Sequence, residues 1–282
     1  MTYTRMTEDY IAEAQALTTS FNWPHTVEDW SFAFRLGSGL MACHSGRLVG
    51  TCLTWPLGPN VSSLGMLTVA GEAQGQGIGR ALLRQTLDEH AERTILLHAT
   101  HQGIELYRSE QFSPIEEIRQ MQGVVTLEGE GAVPAGLAPV HPWHPARDDV
   151  AREQLLTLDH AATGLARGVL LQALLPRTTF LRLGSEDSPE GYAGIRRFGR
   201  GHVIGPVAAP TAEGAAALVH GFLSSHAGEF VRIDLTEAFE PAGWLSAFGL
   251  REVDRVLAMS NGPLPQPTGE AKRFALIGHA FG

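Results

Sequence analysis

The chain has 282 residues, of which 44% are hydrophobic and 18% charged, and its formal net charge is −9. This length is sufficient for two domains, and the composition is typical of packed globular proteins rather than disordered chains. The acidic balance argues against a nucleic-acid-binding surface, which would carry a basic stripe. Two cysteines are too few for a secreted disulfide scaffold, so we expect Cys43 and Cys52 to be buried thiols in neighbouring strands.

The N-terminal residues show no apolar signal segment, and no run of about 18 apolar residues is present that could span a membrane. We therefore expect a cytoplasmic protein that binds neither a membrane nor a nucleic acid. The oligomeric state is left open.

Strands and helices alternate along the first half. In chain order, the patterns predict the strand 3–6, the helices 8–17 and 26–36, the hairpin strands 40–44 and 47–55, the strand 64–70, the helix 78–91, the strand 94–98, the helix 103–109 and the strand 115–125. Thr7 and Thr26 are expected to cap the first two helices, and Ser45 with Gly46 to form the hairpin turn.

A stretch rich in glycine and proline, 128–145, predicts a linker. After it we predict the helix 148–162, the strands 179–183, 192–198 and 202–208, the helix 212–224, the strand 229–235, the helix 242–248, the strand 251–259 and a final strand within 272–281 that completes a sheet. This order repeats that of the first half.

The repetition extends to the residues. Two pairs of segments are alike, 67–87 with 205–223 and 109–123 with 246–262. The second pair places Phe112 opposite Phe248, and Arg119 opposite Arg255. We therefore predict two similar domains at 1–128 and 137–282, each an α/β (α+β) fold with a mixed, mainly antiparallel sheet flanked by helices.

A glycine-rich turn separates the predicted strand 64–70 from the helix 78–91. It contains Gln74, Gly75, Gln76, Gly77, Ile78 and Gly79. Backbone amides and the positive end of the dipole at such a helix start bind phosphate, and glycines let the ligand approach closely. The spacing fits neither a P-loop nor a dinucleotide-binding fold. A purely structural turn is the alternative.

The Q-x-x-G-x-G spacing of this turn resembles the acetyl-CoA signature of the GNAT N-acetyltransferases. The segment 106–112 resembles their second landmark, LYxxxGF, with Gln111 in place of the glycine. The resemblance covers about residues 3–127. The second half resembles the accessory domain of tandem GNAT proteins, which keeps the sheet but lacks the glycine loop, so we expect no cofactor there.

The resemblance implies an N-acetyltransferase that uses acetyl-CoA as co-substrate and acetylates a primary amine of a small molecule or peptide by direct attack on the thioester. The implied cofactor contacts are Leu67, Thr68, Val69, Gln74, Gly75, Gln76, Gly77, Ile78, Gly79 and Arg80. The strand residues would bind the pantetheine arm as an added strand, the loop amides would hold the pyrophosphate, and an amide near Leu67 would support the oxyanion. Tyr107 would protonate the leaving thiolate, and a packing role is its alternative.

No general base stands out. Histidine as a residue type suits a general base, so His98 and His101 are candidates, but both could simply be polar residues at a strand end. Glu28 and Asp29 are more typical of a solvated helix face, and the aromatic group around Trp30 is more typical of packing.

A metal site is not expected, because no further ligand completes the His-x-x-His pairs at 98–101 and 141–144. Two other functions stay open: a non-catalytic acyl-CoA-binding regulatory protein, and a structural interaction protein. The first would bind acetyl-CoA without transferring it, and the second would have no affinity for it.

Overall fold

The computed structural model of the chain describes residues 1–127, 136–239 and 243–282. Within these ranges, no helix is both long enough and apolar enough to cross a membrane. The described residues also contain no group of three or more His, Cys, Asp or Glu side chains placed to hold a metal ion.

The chain divides into two compact units. Unit 1 comprises Met1–Ile115, Ala258–Pro263 and Ala280–Gly282, and unit 2 comprises Glu116–Leu257 and Leu264–His279. Each unit thus combines segments that are distant in sequence. The contiguous domain bounds inferred above stay a prediction.

Unit 1 is built on an antiparallel sheet with one parallel pair. Its elements are β1 (Thr2–Arg5), α1 (Ile11–Thr19), α2 (Val27–Leu36), β2 (Ser38–His44), β3 (Arg47–Pro56), β4 (Val61–Val69), α3 (Ile78–Glu89), β5 (Thr94–Ala99) and α4 (Ile104–Ser109). The strands lie in the order β1-β2-β3-β4-β5, and only the β4–β5 pairing among them is parallel. The expected buried free thiols are confirmed, with Cys43 on β2 and Cys52 on β3.

Unit 2 repeats this plan. Its elements are most of β6 (Ser113–Val124), then β7 (His141–Trp143), α5 (Asp149–Thr163), α6 (Gly168–Leu174), β8 (Thr178–Gly184), β9 (Pro189–Phe198), β10 (Gly201–Ala209), α7 (Ala212–Ser225), β11 (Phe230–Leu235), α8 (Trp244–Ala247), most of β12 (Arg251–Ser260) and β13 (Lys272–Ala275). The strand order is β12-β6-β11-β13-β10-β9-β8-β7, with β10 and β11 parallel. The predicted fold class is confirmed.

A strand–helix–strand crossover lies at the centre of each unit. In unit 1 it is β4-α3-β5, and in unit 2 it is β10-α7-β11. Parallel neighbours need such a crossover because a tight hairpin turn can join only antiparallel strands. Both helices bury an apolar side against their sheet, and α7 is buried along most of its length.

Four details differ from the predicted elements. The first predicted helix opens with a 3-10 turn at Glu8–Tyr10, so Thr7 caps no α-helix. The helix α6 was not predicted, nor was β7, which lies inside the predicted linker. Pro142 is tolerated in β7 because this strand is at the sheet edge, where the missing N–H has no partner to lose. The final strand is shorter than predicted and ends at Ala275.

Candidate active site

The pairing between β4 and β5 stops partway along β4. It runs from Val61 opposite Thr94 to Leu64 opposite Leu97. Beyond this point, β4 keeps its partner β3 on one side only, through Val69 opposite Gly50. Within the described part of the chain, no strand pairs with the other edge of β4 over 65–69. We call this edge the slot, and an extended ligand could add to it as a strand would.

A bulge shapes β4 at the start of the slot. Thr51 of β3 pairs with Thr68, but Leu53 pairs with Gly65, so Cys52 alone faces two β4 residues. One of these, Met66, has a φ of +52°, in the left-handed region that non-glycine residues rarely adopt. Such a bulge changes the direction of backbone groups locally and is frequent beside active sites.

The glycine-rich turn lies between β4 and α3. Gly77 is the N-cap of α3, and it has no side chain that could cap the helix. The backbones of Gly75 and Gly77 are both in the left-handed region, with φ values of +74° and +80°. A Cβ added at either glycine would meet no atom within 4 Å, so the backbone is accessible there. The first amides of a helix have no acceptor inside it. The turn can therefore donate several N–H groups to an anion.

The side chains of the turn hold it in place. Gln74 donates from Nε2 to the Val69 carbonyl at 3.0 Å, and Ile78 is buried. A Cβ at Gly79 would lie 3.5 Å from Val69 Cγ2 and 3.9 Å from Leu106 Cδ2, so Gly79 lets α3 pack closely on its neighbours. The predicted contacts Leu67, Thr68 and Val69 thus lie on the slot itself, and the predicted turn contacts at 74–80 follow at its end. Gly75 and Gly77 face open space there, and Gly79 does not.

Tyr107, on α4, is buried at 8% exposure and packs edge-on against Phe112, with ring centroids 5.7 Å apart. Burial raises the pKa of its phenol above the usual range, and the nearby Cys52 thiol adds to the shift. Burial also raises the pKa of Cys52 to about 12. Since Cys52 is the β3 residue opposite the bulge, Tyr107 lies near the bulge and keeps its proton at neutral pH.

The turn after α4 keeps its shape although glycine is absent. Gln111 adopts a φ of +66°, which is the left-handed conformation that glycine would take at a helix C-terminus. The amide of Phe112 then donates to the Tyr107 carbonyl at 3.1 Å.

The four candidate bases differ in where they lie relative to the slot. His98 follows Leu97 on β5 and is half-buried where the slot opens, whereas His101 is exposed in the next turn. Asp29 forms a capping box with Thr26: the Thr26 amide donates to Asp29 Oδ2 at 2.8 Å, and the Asp29 amide donates to Thr26 Oγ1 at 3.1 Å. Glu28 is exposed. Only His98 among the four is on a strand that borders the slot.

In unit 2, a strand of the chain occupies the place that corresponds to the slot. β13 pairs with β10 through Ala275 opposite Val207, and with β11 through Ala275 opposite Leu235. The helix α7 begins without a glycine turn. Its N-cap Thr211 accepts the Gly214 amide at 3.1 Å through its own hydroxyl. Both features that could receive a ligand in unit 1 are thus satisfied internally in unit 2.

Unit 2 has a leucine at the position that corresponds to Tyr107. The amide of Leu250 donates to the Leu245 carbonyl at 3.1 Å, as Phe112 does to Tyr107, and Gly249 has a φ of +84°. Leu245 therefore corresponds to Tyr107. Phe112 then corresponds to Leu250, so the sequence match of Phe112 with Phe248 was wrong by two residues. The match compared residue types and did not take the geometry of the turn into account.

Residues 4–111 match the family described as Acetyltransferase (GNAT) family, and residues 155–272 match the one described as Acetyltransferase (GNAT) domain. None of the curated proteins matches the chain.

Several solved structures share the fold. A candidate acetyltransferase of Pyrococcus horikoshii has a TM-score of 0.78 at 20% identity, covering 100% of this chain and 95% of its own. A GCN5-related N-acetyltransferase of Sphaerobacter thermophilus has a TM-score of 0.64 at 12% identity, covering 95% and 98%. One from Anabaena variabilis has a TM-score of 0.57 at 14% identity, covering 92% and 72%. Since the two family matches lie in tandem and together take in most of the chain, the chain belongs to the GNAT acetyltransferase family and carries two of its domains.

Proposed function

We propose that unit 1 binds acetyl-CoA and transfers its acetyl group to a primary amine of a small molecule or peptide. The observation that carries this proposal is the slot, an edge of β4 that has no strand partner among the described residues and leads directly to a glycine turn with accessible backbone amides. An acyl-CoA has the matching form, because its extended pantetheine arm carries amides and ends in a pyrophosphate.

Two parts of the cofactor, the pyrophosphate and the pantetheine arm, would each be received by backbone groups. The first-turn amides of α3, over 75–80, would bind the pyrophosphate, and the positive end of the helix dipole favours that charge. Residues Leu67, Thr68 and Val69 would pair with the pantetheine arm along the slot. Gln74 caps the Val69 carbonyl and Ile78 packs in the core, whereas the Arg80 side chain lies near Glu110, so recognition would rest mainly on the backbone.

The reaction needs an oxyanion donor and an acid. The amine nitrogen attacks the thioester carbonyl carbon, so that a C–N bond forms while the C–S bond breaks. The Leu67 amide would stabilise the negative oxygen, and Tyr107 would give its proton to the leaving thiolate. The amine loses its own proton to a base or to water. His98 is the candidate base whose position on β5 suits this role, and we assign no further residue.

Titration calorimetry with acetyl-CoA tests the cofactor part of the proposal. We expect one site per chain, in keeping with the filled position in unit 2. An absence of heat at any concentration would overturn the proposal and favour an interaction protein.

Thiol release with a panel of small amines and peptides that have free amino groups then tests transfer. Release of free CoA that depends on an amine supports an acetyltransferase. Binding of acetyl-CoA with no transfer to any amine would instead favour an acyl-CoA-binding regulatory protein.

A further inference from the structure

The bulge in β4 contains a conformation that its sequence does not favour. Met66 has a side chain and a φ of +52°, and such residues persist only where the surroundings hold them. The bulge is also where the thioester would lie, so the group that holds it in place affects the reacting atoms.

The hydroxyl of Thr51 holds the bulge. Thr51 is fully buried, and its Oγ1 donates to the Met66 carbonyl at 2.7 Å. The Thr68 hydroxyl lies 2.9 Å from the same Oγ1. Because a carbonyl can only accept, the single proton of Thr51 goes to Met66, and Thr68 must donate to Thr51. The direction of both hydrogen bonds is thereby determined.

This arrangement fixes the next amide. In a trans peptide unit, the C=O and the following N–H point in opposite directions. The peptide bond after Met66 is trans, since the described residues include only one cis bond, at Gly205–Pro206. The Met66 carbonyl points toward β3, where the Thr51 hydroxyl donates a hydrogen bond to it. The Leu67 N–H therefore points away from β3 and toward the slot.

We propose that Thr51 is a positioning residue that aims the Leu67 amide at the thioester carbonyl oxygen, with Thr68 completing the hydrogen-bond chain. This role rests on the proposed function. Without the Thr51 hydroxyl, the Met66 carbonyl loses the hydrogen bond that Thr51 donates, and the peptide unit is freer to rotate. The amide would then no longer be held in line with the developing oxyanion.

Raman difference spectra of bound acetyl-CoA labelled with carbon-13 at the carbonyl test this directly and need no acceptor. Thr51→Val removes the hydroxyl at nearly constant shape, Thr51→Ser restores it, and Thr51→Ala repeats the loss with a smaller side chain. Thr54→Val is the control: it also removes a buried hydroxyl of β3, but one bonded to Ser38 and His90 at 3.2 and 3.0 Å.

In the wild type and in Thr54→Val, we expect the carbonyl band at lower frequency than for free acetyl-CoA, because the oxygen accepts a hydrogen bond. Thr51→Val and Thr51→Ala should lose roughly half of this shift or more, and turnover of an amine accepted by the wild type should fall about tenfold. The Kd of acetyl-CoA should stay within about twofold, because other backbone groups supply most of the affinity. Thr51→Ser should recover the band and the turnover.

An unchanged band in Thr51→Val and Thr51→Ala would reject the role of Thr51 and leave the proposed function intact. A loss that Thr51→Ser does not recover would equally reject it, because the hydroxyl would not be the cause. A wild type that binds no acetyl-CoA would overturn the proposed function together with this role, and calorimetry distinguishes that case from the other two.

Discussion

The two crossovers, β4-α3-β5 and β10-α7-β11, have the same connection. They differ in whether another strand pairs with the edge of the first strand beyond its parallel partner. In unit 1 the edge of β4 beyond Leu64 has no strand partner in the described chain, and a glycine turn lies beside it. In unit 2 the corresponding edge of β10 pairs with β13, and Thr211 caps the helix. The two units share the strand–helix–strand connection and differ in whether the chain itself fills the edge of the first strand and caps the helix.

The difference shows what binding requires of a fold. Unpaired strand edges and uncapped helix starts leave polar groups without partners, which a structure normally avoids. They are retained in unit 1, where a cofactor would satisfy them. In unit 2 the chain supplies its own strand and its own hydroxyl, which is the arrangement expected where no ligand has to bind.

The largest expected effect comes from a charge at the glycine turn. Gly77→Glu places a carboxylate in the open space where the pyrophosphate would lie, so acetyl-CoA affinity should fall by about a thousandfold or more. The matched control is Gly228→Glu in unit 2, where the glycine has a φ of +81° and equally open surroundings. Calorimetry on both variants should show a loss in the first alone. Equal acetyl-CoA affinity in the two variants would mean that the turn does not bind the cofactor.

The second prediction concerns Asp234, which follows the last β11 residue paired with β10, as His98 does on β5. Burial alone would raise the pKa of Asp234, but Arg232 at 2.8 and 2.9 Å and His279 at 3.4 Å outweigh it and hold the pKa well below its usual range. Asp234→Asn leaves Arg232 buried without its counter-charge. The free energy of unfolding should fall by about 3 kcal/mol at pH 7.

Urea unfolding measures this loss, and the exposed Asp88→Asn is the control. Because the folded pKa of Asp234 is depressed, its contribution is complete above the unfolded pKa of about 3.9 and disappears as the pH falls below it. The difference between wild type and Asp234→Asn should therefore shrink in acid. Acetyl-CoA binding measured at neutral pH should not change, and a loss of affinity would mean that this position in unit 2 serves the cofactor.

The third prediction separates chemistry from binding at Tyr107. Tyr107→Phe should reduce turnover about a hundredfold, because the leaving thiolate loses its proton donor, with acetyl-CoA affinity nearly unchanged. Since burial raises the pKa of Tyr107, its ionisation should not limit the rate below about pH 10. Tyr10→Phe, outside the site, is the control. Full turnover in Tyr107→Phe would leave Tyr107 with a packing role only, like Leu245 in unit 2.

The smallest expected effect is at the turn after α4, where unit 2 has Gly249 and unit 1 has Gln111. Gln111→Gly relieves a left-handed residue that carries a side chain, so stability should rise by about 0.5–1 kcal/mol. Gln102→Gly, an exposed position with ordinary φ, should give no gain, because glycine there only adds freedom to the unfolded chain. Urea unfolding compares the two. A loss of stability in Gln111→Gly would show that the glutamine side chain holds this turn.

Local patterns made much of this protein predictable. The hairpin around Ser45 and Gly46, the N-cap at Thr26, and the glycine turn before α3 each depend on residues within a few positions of one another. The strand–helix–strand order of the two crossovers followed from alternating strand and helix periodicity, which also depends on neighbours in sequence, but their parallel pairing was not predicted. For this reason the fold class and the position of the glycine turn were predicted, and family comparison confirmed the fold.

What the tertiary structure alone decided lies in pairings over long distances. The bulge at Met66 and its hydrogen bond from Thr51 depend on the register between two strands, which no local pattern specifies. The placement of β13 beside β10 joins residues far apart in sequence, as does the composition of the two units. The sequence determined where the glycine turn with its accessible amides lies. Strand pairing determined that the slot of β4 has no strand partner among the described residues, because a strand edge is left unpaired only when no other segment folds beside it.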